Sequence, residues 1–238
     1  MRNIAILRDG YSDFLVLKKL LQCIITKHKL EVLDDSCFLD LGTLNIVEPL
    51  KKYLNKASKT EDYSYHSEVA NELIRELVAI YFGCYSRFTK ELDVVTQKEI
   101  MIIYADSERL LMDRNNYFKD WAYSIKGLIN LSIEIFYEKM VGIGYNFGSL
   151  PFIVPLILFP SSEILVATCM YNANTEKLRE LNPNPSLKQK VYGTDSIHDA
   201  IENGELVKAL DTYLIDENLE EIYKEIPEAR ILMQSLTL

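Results

Sequence analysis

The chain has 238 residues, 48% of them hydrophobic, which is enough for one generous core or a core with a small appendage. Lys and Arg number 26 against 35 Asp and Glu, a net charge of −9, so a broad basic face for nucleic acid is not expected and any such contact must be local or assisted. Cys23, Cys37, Cys84 and Cys169 form no CxxC pair, and His28, His66 and His198 make no HExxH spacing, which argues against zinc.

Ile4 to Leu7 is a short apolar run closed by Arg8-Asp9-Gly10, and from Ser12 the residues Phe14, Leu15, Leu17, Leu20, Leu21 and Ile24 recur at helical spacing. The pattern predicts a strand, a turn and a helix capped by Ser12 or Asp13. The opening run is too short for the core of a signal peptide, and no window is long enough to cross a bilayer, so the expectation is a reducing cytoplasm with free thiols and no membrane. A second strand is expected within Val32 to Leu41, interrupted at Asp34-Asp35, and a helix over Val47 to Leu54. Ala57 to His66 reads as a loop, followed by an amphipathic helix over Val69 to Phe82.

Ile100 to Tyr104 is a strand apolar on both faces, ending in Ala105-Asp106-Ser107-Glu108. Trp121 to Met140 predicts a long helix, and GIGYNFG (142–148) a turn leading into the apolar run Phe152 to Phe159. Pro155 within that run requires an edge position, a bulge or a strand that starts after it. Glu163 opens the apolar helical stretch EILVATCM. Beyond Asn172 the texture changes: 182–186 is a Pro-rich loop, and Ser196 to Leu214 and Leu219 to Leu236 read as two charged surface helices.

Strands alternating with helices imply an α/β fold with a mostly parallel sheet, whose carboxyl ends lie along one rim where ligands bind. Three apolar runs end in acids: Asp9 with Asp13 one turn later, Asp106 with Glu108, and Glu163. Carboxylates gathered on one edge repel each other unless a divalent cation sits among them. Each acid also has a plainer reading, Asp13 as a helix cap and Glu163 as the first residue of a helix. Lys188 and Lys190 read either as a phosphate contact or as a solvated face. GxGxxG, the P-loop signature and GxSxG are absent, which disfavours a glycine-cradled nucleotide and acyl chemistry.

The order and setting of these motifs resemble the Toprim fold, shared by topoisomerases, primases, OLD-family nucleases and small stand-alone Toprim-like proteins. The family's first strand ends in "vEGxxD"; here "LRDGYSD" puts Asp9 in place of the glutamate, followed by Gly10 and Asp13. "IIYADSERL" is similar to the family's DxD strand end through Asp106 and Glu108, and "LFPSSEILVA" offers Glu163 heading a later helix. The resemblance covers about residues 1–170, with a helical insertion at about 60–95 and a helical extension over 171–238. It implies Mg²⁺- or Mn²⁺-dependent phosphodiester hydrolysis in DNA or RNA. Asp9, Asp106 and Glu108 would hold the metal, or Asp9 act as acid/base, with Glu163 completing the shell and Asp13 and Lys188 as further candidates. It also implies an ABC- or AAA-type ATPase partner in defence against phages, which would offset the acidic charge that opposes nucleic-acid binding. A scaffold that binds without catalysis and an acid-lined phosphatase are the competing readings, and self-association is left open.

Overall fold

The computed structural model describes residues 4–30, 38–43, 100–106, 125–158, 161–171 and 186–237. The expected elements between 44 and 99, the insertion at about 60–95, Glu108 and the loop over 182–185 lie outside the described residues. The chain forms two compact units, Met1–Asp9 with Leu33–Ile157, and Gly10–Val32 with Leu158–Leu238. The units are therefore interleaved in sequence, where the sequence reading places one boundary at 170.

The first unit carries the sheet. Strands β1 (Ile4–Arg8), β2 (Phe38–Thr43), β3 (Ile100–Asp106) and β4 (Phe152–Leu158) lie in the order β2-β1-β3-β4, all parallel. Ile4 to Leu7 and Ile100 to Ala105 are buried throughout, which is why both strands read as unbroken apolar runs. β4 is an edge strand among the described ones, the first of the three positions that Pro155 permits. The part of the expected Val32–Leu41 strand that lies before Phe38 is outside the described residues; β2 carries polar Asp40 at its centre, as an outer strand among the described ones with a partner for that charge can.

That partner is Arg8. Its Nε donates to both Asp40 carboxylate oxygens at 2.9 and 3.1 Å, and its Nη2 to Oδ2 at 3.0 Å. The fork ties β1 to β2 just where their register slips between Ile6 and Leu7. Gly42, opposite Leu7, takes φ +90°, a value that glycine adopts without strain, and its N–H is held by Asp40 Oδ1 at 2.9 Å. Helix α2 (Ile125–Gly142) fixes the start of β4: the Tyr137 hydroxyl donates to Pro151 O at 2.7 Å and accepts from Ile153 N at 2.8 Å.

The second unit is helical. α1 (Tyr11–His28) buries Val16, Leu17, Leu20, Leu21 and Ile24 on one stripe. Its N-cap is Gly10, not Ser12 or Asp13. Asp13 is the third helical residue, and its Oδ2 accepts the Gly10 N–H at 2.7 Å, reaching back as an acid at that position does. α3 (Glu163–Tyr171) is buried along its first six residues and is packed by α4 (Leu187–Tyr192), α6 (Glu205–Tyr213) and α7 (Leu219–Glu225). A helix apolar all round needs neighbours all round.

The two charged surface helices expected after 196 are instead four. α5 (Ile197–Glu202) gives way to α6 at Asn203-Gly204, where Gly204 has φ +73°, and α7 gives way to α8 (Pro227–Thr237) at a proline in the first helical position. They bury Leu206, Leu210, Leu214, Leu219, Ile222, Ile226, Leu232 and Leu236, so they are amphipathic parts of the core and not merely a charged coat. Gly204→Ala is expected to lower stability by about 1 kcal/mol through the left-handed backbone alone, since nothing crowds the new Cβ. Urea unfolding would measure it.

α1 is tied to the C-terminal helices by Lys19 to Asp211 at 2.6 Å, Lys27 to Glu220 at 2.8 Å, and the Cys23 thiol donating to Leu214 O at 3.0 Å. Burial pushes Cys23 up to about 11 and Cys169 up to about 12, both from 9.0. Their thiols therefore stay protonated when folded, and the stability they lend is complete below pH 9 and declines as pH climbs from 9 toward 11. Alkylation near neutral pH is expected to spare Cys23 and Cys169 in the folded chain and to modify both after unfolding, as peptide mass spectrometry would read.

Candidate functional site

The order β2-β1-β3-β4 sets β2 on one side of β1 and β3 on the other, so the direction of sheet building reverses between β1 and β3. Loops leaving the carboxyl ends of strands diverge at such a point and open a crevice, the usual ligand position in parallel sheets. Leu7 pairs with Ile103, which sets Asp9 two residues and Asp106 three residues beyond a matched pair. The strands carrying them are neighbours, roughly 5 Å apart. Two of the acids singled out in the sequence, 97 positions apart, therefore emerge on one rim at the switch point.

Both are partly exposed. Asp106 is held by the hydroxyl of Tyr104, whose ring is fully buried in β3 two residues back and on the same face of the strand. That donor fixes the carboxylate at the end of the strand. Arg8, next to Asp9 in sequence, spends its guanidinium on Asp40. Neither Tyr104 nor the Arg8–Asp40 pair was visible as part of a site in the sequence; the alternation of Tyr104 with Asp106 was the available signal.

Asp13 and Glu163 gather in the second unit. The Ser162 hydroxyl, fully buried, donates to Asp13 Oδ1 at 2.7 Å, so each Asp13 oxygen carries a donor, Gly10 N–H on one and Ser162 on the other. Glu163, at the head of α3, is 2% exposed, and its Oε2 is buried without a hydrogen-bond partner. Tyr192, on α4, is also buried with an unpartnered hydroxyl. Burial, then the charges of Glu163 and Asp13, push its phenol pKa up, so it stays neutral. Lys188 is partly exposed on the same helix, and the Lys190 ammonium, also on it, is buried with no acceptor.

An orphaned buried carboxylate oxygen is costly, on the order of several kcal/mol when charged, unless something is meant to reach it. The oxygen-only set of Asp13, Ser162, Glu163 and Tyr192 has the chemistry that Mg²⁺ and Mn²⁺ prefer, and it lacks the nitrogen and sulfur that zinc selects. Of the two carboxylates, Glu163 has an oxygen without a hydrogen-bond partner, whereas both Asp13 oxygens carry donors. Among the described residues no group of three or more His, Cys, Asp or Glu forms a metal cluster. Ser162 and Tyr192 were not singled out in the sequence: Ser162 sits inside the quoted PSSEILVA, whereas Tyr192 gave no signal.

Ser162→Ala would remove the buried hydroxyl that donates to Asp13 Oδ1, and is expected to lower stability by about 2 kcal/mol in urea unfolding. Among the described residues no helix is long and apolar enough to cross a membrane. None of the protein-family models, curated proteins or solved structures compared with the chain matches it.

Proposed function

We propose that the protein is a divalent-metal-dependent nuclease that hydrolyses phosphodiester bonds in DNA or RNA. The observation that carries this reading is the parallel pairing of β1 with β3, which brings Asp9 and Asp106 to one rim at the switch point. Asp9 and Asp106 hold the cation there, with Glu108 two residues further on as the third carboxylate, and Glu163 and Asp13 add an oxygen set of their own. When bound, the metal polarises the phosphate and lowers the pKa of an attacking water. Tyr104 holds the Asp106 carboxylate in place.

The net charge of −9 weakens encounter with a polyanion, so the proposal includes an ABC- or AAA-type ATPase that brings the nucleic acid, in a cytoplasmic anti-phage system. The test is incubation of the purified chain, alone and with the product of the neighbouring gene, on DNA and tRNA with Mg²⁺ or Mn²⁺. Cleavage that a chelator abolishes is the expected result. No cleavage in any combination rejects the nuclease and leaves a scaffold that binds without catalysis, whereas turnover of small phosphate esters alone points to a phosphatase.

A further inference from the structure

Glu163 and Tyr192 are the two residues of the second unit's acid group whose polar atoms are left over. Glu163 Oε2 and the Tyr192 hydroxyl are each buried without a hydrogen-bond partner, on helices α3 and α4 that pack against each other. The Asp13 carboxylate beside them already has its donors in Ser162 and Gly10. Both charges reach the phenol, Glu163 the more strongly. Two orphans of this kind in one group call for a third participant that offers O–H bonds to both, since a neutral phenol and a carboxylate can each accept one. Water carried by a hard cation has outward-pointing O–H groups of that sort, and Mg²⁺ in particular keeps several of its waters when protein-bound.

We propose that Tyr192 is a positioning residue of the Asp13–Glu163 group, its hydroxyl accepting a hydrogen bond from water on a divalent cation held by Glu163. The inference rests on the metal-dependent reading given above. Tyr192 acts through that water and does not itself ligate. Its place on α4, the next described helix after α3, adds a residue from beyond the acid motifs to the group. Residues that orient a metal's surroundings in this way commonly change affinity by about tenfold to 100-fold when removed.

The test measures Mn²⁺ binding to the full chain by calorimetry, and the thermal melt without metal, for the wild type, Tyr192→Phe and Glu163→Gln. Tyr192→Phe is expected to bind Mn²⁺ about tenfold more weakly. Its metal-free melt should be unchanged or slightly higher, because the deleted hydroxyl has no partner to lose. Glu163→Gln should bind more weakly still. Wild-type affinity in Tyr192→Phe, with Glu163→Gln impaired, overturns the role of Tyr192 and leaves the metal reading standing. A lowered metal-free melt with unchanged Mn²⁺ affinity also overturns it, since the hydroxyl then serves a trapped water and the fold alone. No Mn²⁺ binding by the wild type overturns both.

Discussion

Asp106→Asn is expected to lower metal-dependent cleavage by at least about 100-fold while leaving the melting temperature within a few degrees of the wild type. The substitution keeps the shape of the side chain and retains an oxygen to accept from Tyr104, so the hydrogen bond that anchors it to β3 survives. What is lost is the negative charge at the end of the strand, where a divalent cation is to be held. Asp9→Asn should have a comparable effect if both acids hold the same ion, and the double variant should be little worse than either alone, because groups acting as one unit are not additive. Cleavage kinetics at saturating Mn²⁺, with circular dichroism of each variant, would measure this. Activity undiminished in Asp106→Asn would remove the rim from the mechanism.

The largest effect on stability is expected at the centre of β3. Ile102 is fully buried and paired in register with Ile6 of β1, itself fully buried. Ile102→Ala should cost about 4 kcal/mol, the transfer of the lost methyl and methylene groups plus the cavity they leave between strands that cannot easily close up. Set against a total stability of about 5 to 15 kcal/mol, that is enough to bring a marginal domain close to unfolding. Ile102→Val should cost only about 1 kcal/mol, and the ratio of the two separates packing from any effect on the backbone. Urea titration is the check, with an unchanged slope expected because the same surface is exposed on unfolding. A cost below about 1 kcal/mol for the alanine variant would mean that β3 is not the packed centre that the burial implies.

The parts of the fold that were legible in the sequence share one physical property. β1, β3 and β4 lie in a parallel sheet, so their hydrophobic residues are consecutive and the polar residue that closes each run is conspicuous. Asp9 and Asp106 were found by that contrast. α1 was equally plain, because its buried stripe repeats at helical spacing. Its cap was not, since an acid in the third helical position that reaches back to a glycine resembles, in sequence, an acid that caps. The C-terminal helices misled because their charges lie on the same turns as Leu206, Leu210, Ile222 and Leu232, and charge density hid the apolar faces. Gly204 and Pro227 were in plain view as breaks.

The acid groups show the same divide between local and tertiary information. Which acids close strands or head helices is local, and the sequence names them. Which of them are spent on other side chains is not: nothing in the spacing ties Ser162 to Asp13 or Arg8 to Asp40, and Tyr192 reaches the Glu163 group only because α4 packs on α3. The interval between the strand-end motifs also carried no hint that β1 and β3 would be neighbours, since adjacency follows from sheet order and not from chain order.

The central claim is that Asp9 and Asp106, emerging from neighbouring strands, share a cation. A crystal grown with Mn²⁺ and measured for anomalous scattering tests it directly. The account predicts an anomalous peak at the carboxyl ends of β1 and β3, within coordination distance of a carboxylate oxygen from each, and its loss in Asp106→Asn. No peak at that rim, with the two carboxylates turned to separate basic partners, would contradict it.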